Sequence, residues 1–73
     1  MTIRQRWHKG RERFYQVVLQ KDLLGDWSLT CSWGSLHSRL GNYKHHAFGT
    51  QNEALELIEK ITKRRMARGY ELI

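Results

Sequence analysis

An α+β fold, with a small antiparallel β-sheet of about four strands and one C-terminal α-helix packed on one face, follows from three features of the 73-residue sequence. Residues 14–33 alternate in the two-residue period of half-buried strands on either side of a Gly/Asp turn. Residues 50–68 switch to the 3.6-residue period of a helix behind a capping sequence. No proline, repeat or Ser/Gly-rich linker divides the chain, so one domain spanning residues 1–73 is expected.

The first element is the least patterned. Thr2 to His8 alternates just enough for a short edge strand ending in a Lys9-Gly10 turn, and a disordered terminus is an equal reading. Phe14 to Leu19 is rich in β-branched and aromatic residues, and places Tyr15, Val17 and Leu19 on one face. The turn residues Lys21 to Asp26 follow. The next strand sets Trp27, Leu29, Cys31 and Trp33 against Ser28, Thr30 and Ser32, the signature of a half-buried antiparallel strand. A short connection makes these two strands a hairpin. Gly34 to Asn42 reads as a loop where a ligand is met, and Tyr43 to Phe48 as a further strand.

The helix is the best specified element. Thr50 and Glu53 form a Thr-x-x-Glu capping box, Ala54, Leu55, Leu57, Ile58 and Ile61 share a broad apolar face, and acids precede bases as the macrodipole favours. Gly69 suits the position after the helix, so that Tyr70 and Leu72 fold back over the core.

Composition narrows the function. A chain this short buries only about 60% of the surface its unfolded form exposes, so its core is thin. The single cysteine, Cys31, excludes an internal disulfide. No apolar run approaches the roughly 20 residues of a membrane span, and the N-terminus lacks the apolar core of a signal peptide, so a cytoplasmic location is expected. The net charge is +6 and is unevenly spread. Residues 1–13 hold five bases and one acid, residues 60–68 hold five bases and no acid, and the span between holds three bases and five acids. Basic blocks of this kind suit phosphate backbones, because each neutralised phosphate releases condensed counterions. A solvated face that aids solubility is the alternative.

No metal or catalytic pattern emerges. The four histidines and Cys31 lack ligand spacing, and His45 and His46 point to opposite faces of a strand, so no metal or other cofactor is expected. The seven acids lie in turns, on the helix or near a terminus, and a chain this small leaves little room for a water-excluding pocket. A non-enzymatic binding module without a small-molecule substrate is the expectation. Trp33 carries two readings. It is the last core residue of its strand by periodicity, and a tryptophan packed on one edge can still present the other to a ligand.

The segment from Trp27 to Asn42 resembles the WGR domain, the Trp-Gly-Arg module of poly(ADP-ribose) polymerases and of small bacterial proteins. The resemblance takes in Arg13-Phe14-Tyr15, the Asp22-to-Trp27 turn, Trp33-Gly34, Phe48, Glu53-Ala54 and Gly69-Tyr70, roughly residues 12–70. It implies a small sheet with one helix, and nucleic-acid binding in which the family tryptophan, here Trp33, packs against DNA sugar near a strand end. The signature holds at two of its three positions. Ser35 stands where the family has arginine, and Arg39 in the following loop is a substitute source of charge. Contacts to nucleic acid, DNA first, are therefore expected from Trp33, Gly34, Arg39 and Lys44, from Arg11 and Arg13, and from Lys63, Arg64 and Arg68. Docking on a protein partner, or homodimerisation through a strand edge, is the competing expectation.

Overall fold

A computed structural model of the chain describes residues 2–37 and 41–73. Its elements are β1 (Thr2–Lys9), β2 (Arg13–Lys21), β3 (Trp27–Ser35), β4 (Gly41–Phe48), α1 (Gln51–Ala67) and the two-residue β5 (Glu71–Leu72). They form one antiparallel sheet in the order β4-β3-β2-β1-β5. Helix α1 leaves the sheet at the β4 edge and returns the chain to the β1 edge, so it must cross one face of the sheet. That crossing decides which face is core and which is open.

The hairpin registers follow from the turns. Asp22 holds the β2–β3 turn, its Oδ1 accepting from the amides of Leu24 and Asp26 at 2.9 Å each. Lys21 therefore pairs with Trp27, Leu19 with Leu29, Val17 with Cys31 and Tyr15 with Trp33. These alternate residues face the helix. Leu19, Leu29, Val17 and Cys31 are almost wholly buried, and Ala54 and Ile58 of α1 close over them. Ile3, Tyr15, Trp27, Trp33, Phe48, Leu57 and Ile61 pack around this cluster, so the apolar area they bury adds to its driving force for folding.

The helix begins as the sequence predicts. Thr50 is extended, and its hydroxyl accepts from the Glu53 amide at 3.4 Å. It ends in a Schellman turn, in which the amide of Tyr70 donates to the Arg65 carbonyl at 3.0 Å and that of Gly69 to Met66 at 3.2 Å. Gly69 makes this possible by adopting φ +86, which an L side chain resists. The motif brings Tyr70 back against Arg65. Beyond it, β5 pairs with Trp7 and His8 of β1.

Three expectations change. The N-terminal segment is the strand of the two alternatives and not a disordered terminus, and it is not a free edge: β1 pairs with β2 along its length, and its end lies between β2 and β5. Trp7, which the weak alternation around it conceals, is 3% exposed. Trp27 is only half-buried at the rim, with the Lys21 ammonium 5.9 Å from its ring centre. The rim position follows from pairing with Lys21, the last residue of β2. Leu55 sits outside the stripe set by Ala54 and Ile58 and is 39% exposed.

Candidate nucleic-acid interface

Parts of the two basic blocks of the sequence, Arg13 and Arg65, meet at one end of the molecule. The β1–β2 turn lies there with the end of β3, the Leu36 amide donating to the Glu12 carbonyl at 2.7 Å. The C-terminal turn of α1 reaches the same end through Arg65, which touches Tyr15 of β2. Between these parts lies a hollow of ≈ 600 Å³ lined by Arg13, Tyr15, Trp33, Gly34, Ser35, Asn42, Arg65 and Tyr70. It opens because the buried helix residues, Ala54 and Ile58, lie in the first half of α1, leaving this corner of the sheet without an apolar cover.

The walls form a ladder of rings and a cation. Tyr15 and Trp33, paired across β2 and β3, stack with centroids 5.8 Å apart and planes 13° from parallel. The Arg65 guanidinium lies 4.4 Å from the Tyr15 ring centre and 5.1 Å from that of Tyr70, so its planar group is held between two tyrosines. Stacking fixes the guanidinium without consuming its donors. The Nε of Arg65 is buried and has no hydrogen-bond partner. An unpartnered buried donor on a cation costs folding free energy, and an acceptor oxygen that reached it would lower that cost.

The ladder also sets the chemistry of its members. Burial first, then a hydrogen bond with Cys31, raises the Tyr15 phenol to about 12, while the Arg65 and Arg64 cations pull it back. The Tyr15 hydroxyl is therefore neutral at physiological pH. Burial likewise raises the Cys31 thiol, which leaves it protonated and unreactive as a nucleophile.

The sequence-predicted site residues fall into groups. Trp33, Gly34 and Arg13 line the hollow. Arg64 is near enough to act on Tyr15 electrostatically, whereas Arg68 is the C-cap and Arg11 an exposed turn residue. Lys44 stands on the same face, one row from the Trp33–Asn42 pair, and acts on Cys31. Lys63 is exposed and lies 3.4 Å from Glu59, outside the hollow. Arg39 lies outside the described residues. Ser35, at the position of the signature arginine, lines the hollow and pairs across the strands with Arg13. Arg13 thus brings a guanidinium to the row from which the family's own is missing. Tyr43 faces away, since its partner is Ser32 while that of Trp33 is Asn42.

Sequence reasoning missed Tyr15, Asn42, Arg65 and Tyr70 as site residues. For Arg65 a signal exists. Ala54, Ile58, Ile61 and Arg65 follow one another at four, three and four residues, so an arginine continues the apolar stripe that faces the sheet. Among the described residues no group of three or more His, Cys, Asp or Glu is placed to hold a metal, and no helix is long and apolar enough to cross a membrane.

Comparison with known proteins agrees with this architecture. The family model of the WGR domain matches residues 1–73, so the chain belongs to the WGR family, whose domain is a nucleic-acid-binding module. No curated protein and no solved structure matches it significantly.

Proposed function

We propose that this WGR domain binds DNA without catalysing a reaction, and that the Trp33 hollow receives a phosphate together with its neighbouring sugar. The observation that carries the reading is the unpartnered Nε of Arg65, clamped between Tyr15 and Tyr70 beside Trp33 and Arg13. A guanidinium presents its donors in a fork that matches phosphate oxygens, and the exposed edge of a stacked tryptophan packs well against a sugar. Phosphate contacts position a protein without reading sequence, so weak sequence preference follows. Arg11, Arg64, Arg68 and Lys44 surround the hollow as longer-range charge. The described residues that line it include no acid and no histidine, the usual groups for proton transfer.

The test is fluorescence anisotropy with nicked, blunt and covalently closed duplexes. Arg65→Gln is expected to weaken binding at least about ten-fold, the scale of one lost charge-assisted contact, and strand ends are expected to be preferred. Equal binding of all three duplexes by wild type and variant would refute the assignment.

Contact with a protein is favoured by a different observation. Leu23 and Leu24 stand 105% and 89% exposed at the tip of the turn that Asp22 makes rigid. Self-association through this tip, measured by sedimentation in high salt and abolished by Leu24→Ser, is the outcome that supports this second reading; a monomer at all concentrations rejects it.

A further inference from the structure

The acids of this protein lie apart from the four long strands of its sheet. Strands β1 to β4 contain no Asp or Glu, and of their bases Arg4 and Arg6 lie on the face turned away from the helix. The negative charges occupy turns, the helix and β5. Helix α1 covers one face, and the opposite face is left bare.

On that bare face the register aligns Arg6, Gln16, Ser32 and Tyr43 in one cross-strand row, with His8, Phe14, Gly34 and Gly41 in the next. Ordinary solvated sheet faces are polar. This one carries two aromatic rings. Tyr43 is 75% exposed on an edge strand. Phe14 is half-exposed, and the Arg6 guanidinium lies 4.9 Å from its ring centre. Arg6 is set in place from two sides, its Nη1 donating to Gln16 Oε1 and its Nε to His8 Nε2, each at 2.9 Å. Gly34 and Gly41 add no side chain, so the floor between Phe14 and Tyr43 is flat. A Cβ at 41 would come within 3.1 Å of the Trp33 carbonyl, so a larger residue there would push on the strand backbone. The adjoining row adds Arg4, and His45 held by Ser28 and Thr30 at 3.0 Å each.

We infer that this helix-free face binds single-stranded nucleic acid, with bases stacking on Tyr43 and on the Phe14–Arg6 pair and phosphates meeting Arg4 and Arg6. Rings on a surface that also carries Arg4 and Arg6 reach splayed bases, whereas the bases of an intact duplex are already stacked on one another. The one acid at the border is Glu71, opposite His8 on β5, at the far edge from Tyr43. This surface lies on the other side of the sheet from the Trp33 hollow and does not depend on it.

The whole protein is titrated with labelled oligo-dT and oligo-U of about ten nucleotides, a length that spans one such surface, and with a blunt duplex. Tyr43→Ala is expected to weaken single-strand binding about ten-fold, the scale of one lost stacked base, and to leave duplex affinity and melting temperature unchanged. Tyr43→Phe retains the binding, since the ring is what stacks. Comparison of the two oligonucleotides tells whether the strand taken is DNA or RNA. Arg65→Gln separates the two faces: if it leaves all binding intact while Tyr43→Ala does not, the hollow is rejected and this inference stands. Single-strand binding that is absent at low salt, that survives Tyr43→Ala, or that is lost only with Arg65→Gln overturns it.

Discussion

Arg65 and Arg6 sit on opposite faces of one sheet, and both lie against aromatic rings. Arg65 is held by stacking alone, between Tyr15 and Tyr70, and its Nε finds no partner. Arg6 is held by hydrogen bonds, with Nε and Nη1 committed to His8 and Gln16 while the ring of Phe14 lies beside it. The difference teaches how a protein prepares a cation for different work. An arginine clamped by rings leaves its donors for an incoming oxygen, in the proposed function that of a phosphate. An arginine clamped by hydrogen bonds offers a fixed charge and a flat surface, suited to a base or a passing phosphate. The same contrast runs through the two faces as a whole, one apolar and closing into a hollow, the other polar and flat.

The contrast is broken most severely through the core. Leu19→Ala, on the covered face, is expected to cost about 2–5 kcal/mol of stability, as for other fully buried leucines. Tyr43→Ala, on the open face, is expected to change stability by less than about 0.5 kcal/mol, as exposed positions do. Chemical denaturation of the two variants measures both. Salt comes next. If about four phosphates are neutralised at the basic end, duplex affinity is expected to fall about 100-fold between roughly 50 and 200 mM salt. Anisotropy across that range checks the slope, and a flat response contradicts an electrostatic interface. Arg13→Ala is a smaller step. It is expected to lower duplex affinity several-fold and to reduce the slope by about one, without affecting single strands.

The smallest effect is a titration. Burial and the contact with Cys31 raise Tyr15 to about 12. Its folded value lies above the unfolded one, so the stabilisation is complete below about pH 10 and disappears as pH rises towards 12. Tyrosinate absorbance is expected to show one late component that Tyr15→Phe removes. A uniform titration near the ordinary value would show Tyr15 to be solvated.

Much of this arrangement was legible residue by residue. The alternation of Trp27, Leu29, Cys31 and Trp33 is strict because one face is buried and the other solvated. The helix start is legible because its cap is chemical: a hydroxyl three residues before a glutamate. Gly69 marked the helix end for an equally local reason. What escaped was what depends on pairing. The Tyr15–Trp33 stack requires the register, which the Asp22 turn sets but composition does not state. Trp7 escaped because β1 places Gln5 beside it on the covered face, which dilutes the apolar pattern. Strand β5, at two residues, has no periodicity to read. Arg65 was counted with a charge run, although helical spacing puts it on the apolar stripe and the Schellman turn brings Tyr70 against it.

The charge reading was also sharpened by space. Along the sequence the middle of the chain is slightly acidic, yet its acids sit in the β2–β3 turn and on α1. The sheet itself is free of them. Arg13 and Arg65, one from each basic block and some fifty residues apart in sequence, meet at the hollow because α1 crosses the sheet and delivers its C-terminus to the β1–β2 end.

The most direct test follows the three tryptophans, whose indole N–H signals report three environments in one spectrum. A nicked duplex is titrated into the labelled protein. The expected result is a large shift of the Trp33 indole, lost in Arg65→Gln, with the buried Trp7 unmoved and the rim residue Trp27 little changed. A Trp33 indole that stays in place while the duplex is bound would place the nucleic acid elsewhere and contradict the central role of the hollow.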